Sequence, residues 1–479
     1  VNRVALKLAG FALAWAVMFS AASAFAQPVV TRGGALKKRA YQTYGTISLF
    51  VDGTLGSDSN PCTASGASAC ATFAAAMAKV PRFIQHNVTI AIAAGTYTEA
   101  FAITDRKLTN NVSITVTGAQ ASFAVATGTN SGTSTAATAA TTASPATMTD
   151  SGQAWTVNNL RGRFVVFSSG ALSGQTIPIA SNTATTLTLA TSNTPGVGSA
   201  YTIQSPSVIF AAAGTTPYRL SAIDGSGTIS LSDLDFSRTG TGVNFSLAGS
   251  ETTLVSVSRS RFVASATNTI AISAVSGSLS LTNCHVQALS SSGALSCTAT
   301  GIAGSGAIAC TSSNTNFVAA AGAALFLNNA KQSVFSSSPM ESDGASGVLT
   351  VTGSNNVRLG GVWLTCAGGA SSGLSTSTSS QPPVPSYITS TGTLAVSGCT
   401  DGILLYGAAW LRTSLVAITS ATRGVSLTSG ARVDFLLQVP TFTTVTNEIQ
   451  LDSTNYTYSF LSGLSPAVIS NSYGTTVIK

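Results

Sequence analysis

Charge is what this chain has least of. Its 479 residues include 22 Lys and Arg and 15 Asp and Glu, so 8% are charged while 44% are hydrophobic. That balance argues against a disordered chain. A net charge of +7 over this length is too dilute for a nucleic-acid protein, in which Lys and Arg gather to neutralise phosphates. Histidine is scarcer still: His86 and His285 are the two. With no Cys-x-x-Cys pair and no Cys/His cluster, a zinc site is not expected. No His follows residue 285 to serve a downstream Gly-x-Ser-x-Gly nucleophile, and no Gly-rich stretch carries a P-loop Lys. Beyond residue 26 no run reaches 18 uninterrupted apolar residues, so no membrane span is expected after the N-terminal segment.

That segment reads as a secretory signal peptide over residues 1–26. Arg3 and Lys7 form a basic start, Ala9 to Ser20 an apolar run, and Ala24-Phe25-Ala26 a small-x-small cleavage site. An uncleaved anchor helix is the alternative, although Ala, Ser and Gly dilute its apolar character. Residues 27–45, with the basic run Arg32 to Arg39, read as a solvated leader. An exported chain with seven cysteines is expected to form disulfides. The expected pairs are Cys62 with Cys70, Cys297 with Cys310 and Cys366 with Cys399, which leaves Cys284 as a small apolar core residue. Export places the protein outside the cell or on its surface.

The strongest pattern is a repeat. Ile229–Phe236, Val255–Phe262 and Leu279–Val286 superimpose, each with apolar first and third positions and an apolar anchor at the end. Alternation at period two is a strand with one buried face. The anchors Phe236, Phe262 and Val286 recur at about one coil length, and Phe317 follows behind a degenerate copy from Cys310. Such a period marks a chain that stacks on itself.

Upstream, Thr46 to Thr54 reads as a strand and Ala71 to Lys79 as a short helix stopped by Pro81. Phe73, Met77 and Val80 share its apolar face. A second strand, Val88 to Ile92, and the string Gly95-Thr-Tyr-Thr-Glu99 follow. This order resembles the opening of the pectin-lyase-like right-handed parallel β-helix superfamily, including secreted and tailspike-like members. The resemblance covers about 60 residues. It implies an all-β solenoid whose short helix caps the open N-terminal end of the coil. The expected organisation is a cap and first rungs over 46–118, a low-complexity Ala/Thr/Ser insertion over 119–147, and an inserted small all-β module over 148–205. Further rungs are expected over 206–440 and a C-terminal cap or association tail over 441–479. Gly369 to Pro385 reads as a projecting loop.

Stacking the repeats aligns Asp235, Arg261, His285 and Asn316 in one column and Asp233, Arg259, Asn283 and Asn314 in another. Rungs lie about 4.8 Å apart, so two acids should sit directly beside two arginines. Asp233, Asp235, Arg259, Arg261 and His285 are therefore the ligand-binding candidates, as a polar groove that grips an acidic sugar. The other reading is an exposed ladder of ion pairs, each worth little. No pair of carboxylates stands at a spacing set for glycoside hydrolysis. The superfamily's reaction motifs are also missing: Val433-Asp-Phe-Leu-Leu437 and Val362-Trp-Leu-Thr365 only approach those of pectin methylesterases and pectate lyases, and polygalacturonase motifs do not occur. No catalytic residue and no cofactor is expected. Ca²⁺, which pectate-lyase-like enzymes use, has no support in the pattern. The expectation is an exported, non-catalytic surface or structural rod, an adhesin that binds glycans or cell-surface polysaccharide and self-associates as a trimer or filament. The alternative is a divergent polysaccharide lyase or hydrolase, or a tailspike-like glycan-processing protein.

Overall fold

A computed structural model describes residues 42–471 except 142–143, 214–216, 239–242, 249–252, 265–269, 290–292, 299–307, 345–346, 355, 369–371, 378–384, 429, 437–439, 452–456 and 461–468. The expected signal peptide and the basic run of the leader lie outside the described residues. No helix among the described residues is long and apolar enough to cross a membrane.

The chain forms a right-handed parallel β-helix of about 12 turns. One ladder begins with Ile47–Val51 against Val88–Ile92 and runs through Val112–Thr117, Gly227–Ser232 and Thr253–Ser258, every pair parallel. A second runs from Gly95–Tyr97 through Val208–Phe210, Leu234–Arg238, Arg261–Ala264, His285–Ala288 and Asn316–Ala319. From Val334–Ser342 onward single long strands serve both ladders, bending between them. A third ladder begins at Phe83–Ile84 and Ala102–Leu108 and reaches Asn447–Leu451 and Ile469–Asn471.

The register is the one read from the repeats. Ile229 pairs with Val255, Val255 with Leu279 and Leu279 with Cys310. The anchors form one interior column: Tyr97, Phe210, Phe236, Phe262, Val286, Phe317, Met340 and Leu364 are partners in succession. Phe210 and Phe236 stack at 5.7 Å, and Phe236 and Phe262 at 5.0 Å with 16° between planes. Outward positions alternate with these, which is why Val112–Thr117 is buried at every second residue.

The short α-helix Phe73–Ala78 closes the N-terminal end and buries Phe73 and Met77. Its start is capped twice. Thr72 Oγ1 accepts from the Ala75 N–H at 3.1 Å, and the Glu99 carboxylate accepts from the N–H groups of Phe73 and Ala74. Glu99 thus satisfies two donors that the helix leaves unpaired, and Tyr97 donates its hydroxyl to the Ala93 carbonyl. The Gly-x-Tyr-x-Glu string serves the cap.

Two stretches differ from the sequence reading. Ser372–Ser377 is a strand of the third ladder, paired with Leu349–Thr352 and Asp401–Tyr406, and not part of a projecting loop. Its Ser/Thr-rich composition hid an alternation that buries Leu374. Residues 119–147 and 148–205 share one eight-stranded antiparallel sheet with its own core, including Met148, Trp155, Phe167 and Ile203. Within the expected tail, Thr441–Thr443, Asn447–Leu451, Thr457–Phe460 and Ile469–Asn471 continue the parallel ladders.

Three disulfides join Cys62 to Cys70, Cys297 to Cys310 and Cys366 to Cys399. Cys284 is free and fully buried, and burial pushes its thiol up to about 12. Thiol titration of the unreduced protein should therefore find no reactive cysteine in the native state and one in guanidinium chloride. Phe262→Ala opens the interior stack on both sides and should cost about 3–5 kcal/mol, read as a lower denaturant midpoint.

Candidate functional site

The two columns inferred from the repeats exist, and their chemistry follows from where the chain turns. Asp233, Arg259, Asn283 and Asn314 occupy the corner between the first two ladders, each with a left-handed backbone (φ 59°, 46°, 52° and 48°). Asn and Asp adopt that conformation more readily than other residues with a side chain. Arg259 does so beside a two-pronged bond: its Nε and Nη2 donate to the two Asp233 oxygens at 2.8 and 2.6 Å. In the second column Arg261 Nη1 donates to Asp235 Oδ2 at 2.9 Å, and Ser237 Oγ donates to Asp235 Oδ1 at 2.7 Å.

The second column is covered. Asp235 is 3% exposed and His285 0%, because the inserted module lies over this face of the solenoid. Arg161 of the module donates to Glu341 Oε2 at 2.8 Å, and Ser192 hydrogen-bonds Ser337 at 3.0 Å. At its far edge Trp363 donates to the Thr141 carbonyl at 3.4 Å. Gly162 sits on the His285 ring: a Cβ there would lie 2.5 Å from the ring carbon Cδ2. Its φ of 75° is a second reason for glycine.

His285 is held as a neutral group. Asn316 Nδ2 donates to its Nδ1 at 3.1 Å, which leaves the ring proton on Nε2, facing Gln287 Oε1 at 3.3 Å. Burial drives its pKa down to about 3, and the charges of Arg261, Arg161 and Arg163 act the same way. Arg163 is itself pulled down to about 10, first by burial and then by Arg261. It lies 4.1 Å over the Phe123 ring and donates to Ser205 at 2.9 Å. With the module in place, Asp235 and His285 are out of a ligand's reach. Asp233 and Arg259 keep partial exposure at the module's edge, with side chains 10% and 40% accessible. The cluster's chemistry is that of a clamp between module and solenoid. The residues that sequence reasoning missed are Arg161, Gly162, Arg163 and Glu341. The available signal was a pair of arginines flanking a glycine in a chain with few charges. His86 packs near Thr43, whose Oγ1 accepts the His86 N–H, and belongs to the N-terminal end of the coil.

A second polar site lies on the outer face of the first ladder, further along the coil. A groove of about 340 Å³ is lined by Asn356, Arg358, Tyr387, Thr389, Arg412 and Ser414, among others. Arg358 pairs in register with Thr389, and Thr389 with Arg412, so the two arginines stand one rung to either side of a threonine. Tyr387 packs edge-on to Trp410 with centroids 5.0 Å apart and accepts from Arg412 Nη1 at 3.3 Å. Trp410 is fixed in turn: its Nε1 donates to Asp434 Oδ2 at 2.8 Å, and Arg432 lies 4.5 Å over its ring. Among the described residues no three His, Cys, Asp or Glu side chains gather to hold a metal ion.

No family model matches the chain, and no curated protein matches it. Solved structures with similarity include the tailspike protein gp49 from Pseudomonas phage LKA1, at 10% identity over 90% of this chain and 72% of that one, with a TM-score of 0.30. The gp54 tailspike of Acinetobacter baumannii bacteriophage AP22, solved in complex with A. baumannii capsular saccharide, matches at 10% identity over 78% and 71%, with a TM-score of 0.23. GH136 lacto-N-biosidase from Eubacterium ramulus matches at 7% identity over 87% and 68%, with a TM-score of 0.30.

The clamp predicts a pH dependence. The unfolded chain takes up a proton on His285 near pH 6.5, whereas the folded chain resists until about pH 3. This residue's share of stability is therefore complete above about pH 6.5 and is lost as pH falls toward 3, by up to about 1.4 kcal/mol per unit. Denaturant unfolding between pH 7 and 4.5 should show that slope, and His285→Asn should flatten it.

Proposed function

We propose that this chain is an exported, non-catalytic β-helix rod that binds saccharide in the outer groove around Tyr387. One observation carries the reading: hydroxyl, amide and guanidinium groups converge there beside an aromatic ring held in place by Trp410. Sugars present that combination of needs, since their hydroxyls seek donors and acceptors and their C–H faces seek aromatic surface. A glycosidase would bring two carboxylates to such a groove. The residues named in its lining offer none, which favours binding over hydrolysis. The three disulfides fit an oxidising compartment outside the cytosol. Self-association into a trimer or filament belongs to the same proposal.

A glycan array followed by calorimetry tests the reading. Binding should appear for at least one saccharide class, and Tyr387→Ala should weaken it about tenfold with the melting temperature unchanged. Release of reducing or unsaturated ends from the bound saccharide would favour the lyase or hydrolase instead. Light scattering on the same sample reports the association state.

A further inference from the structure

We infer that the groove is selective for an acidic saccharide, with one oxyanion group of the ligand seated over Thr389 between Arg358 and Arg412. This rests on the groove being the saccharide site and adds the chemical class of the ligand.

Most solenoid arginines that meet an acid are paired with it. Three arginines on the solenoid pair with the acid stacked against them, Arg259 with Asp233, Arg261 with Asp235 and Arg423 with Asp401, and Arg432 pairs with Asp434 two residues along its own strand. Among the described residues Arg358 and Arg412 form no ion pair. Arg358 is exposed and its Nε donates to the Asn356 side-chain oxygen at 3.2 Å. Arg412 has an acid in register one rung on, Asp434, which attracts it but forms no ion pair with it among the described residues. Asp434 Oδ1 takes the Nε–H of Arg432 at 3.0 Å and Oδ2 takes the Trp410 indole N–H. Arg412 reaches the other way, to the neutral Tyr387 hydroxyl, and its own Nε is buried without a partner.

Two arginines thus line one groove from backbone positions two rungs apart, or about 9.6 Å along the coil. Thr389 lies midway, with its hydroxyl donated to the Val357 carbonyl at 3.4 Å. The backbone position of each arginine is about one rung, near 4.8 Å, from Thr389. That is within reach for a long, flexible side chain to close into a charge-assisted hydrogen bond. Two like charges at this distance repel each other, and a bound oxyanion offsets that repulsion. A carboxylate, a sulfate ester and a phosphate ester share the chemistry. All present two or more oxygens of negative charge to a pair of forks.

The test uses matched pairs of saccharides that differ in one charged group: an oligouronate and its methyl ester, a sulfated oligosaccharide and its desulfated form, and a phosphorylated oligosaccharide and its dephosphorylated form. Calorimetry on the full chain should show at least one acidic member binding tenfold or more tighter than its neutral partner, with affinity falling as salt rises. Arg358→Gln and Arg412→Gln should each remove about tenfold of that preference, read as the ratio of the acidic to the neutral affinity. Arg412→Lys, which keeps the charge but not the fork, should fall between. Which pair responds identifies the anion. Equal affinity within every pair, or arginine variants without effect on the acidic members, would overturn the inference and leave the saccharide groove standing. Absence of binding to all members would overturn both.

Discussion

A rung of this solenoid cannot bury its own apolar side chains; it can only press them against the rung before and the rung after. The interior column from Tyr97 to Leu364 is the physical form of that constraint. Every anchor after Tyr97 has two neighbours, and each neighbour is set by parallel pairing at one strand spacing. Once the column is filled, the outward positions are fixed too, because strand geometry sends alternate side chains to opposite faces. The arginine–aspartate columns, the left-handed corner and the groove at Arg358 and Arg412 are all consequences of where the interior anchors fall.

This explains why much of the fold was legible. Phe236, Phe262, Val286 and Phe317 announce the register by themselves, and the corner residues three places earlier inherit it. The pairing of Asp233 with Arg259 and of Asp235 with Arg261 needs nothing beyond a count of positions. What could not be read was what lies on top. The contact between Gly162 and His285 joins segments more than 100 residues apart, and no local pattern links them. Serine and threonine also disguised the strand Ser372–Ser377, whose one large buried side chain is Leu374. The groove escaped notice for a related reason. The rungs that build it share their register but not their residues, so Arg358, Thr389 and Arg412 do not look like copies.

The two arginine sites illustrate opposite uses of one side chain. At the clamp, guanidiniums are shielded by the module and matched by Asp235 and Glu341, so their charge is spent within the molecule. Buried ion pairs of this kind add specificity of docking more readily than net stability, since both partners must give up water. At the groove, the Trp410 indole and Arg432 take the two oxygens of Asp434, and Arg412 bonds the Tyr387 hydroxyl.

The module leaves the coil and returns to it at the same corner. Gly118 donates to the Ser232 carbonyl and Ser207 to the Ala119 carbonyl, so the two ends of the excursion touch. Gly95–Tyr97 stacks directly on Val208–Phe210 as though the module between Gly118 and Ser207 were missing. An unstructured excursion of that length would charge its full closure entropy to the next rung. A module with its own core, around Trp155 and Phe167, holds its ends together, and the coil resumes as if between sequence neighbours.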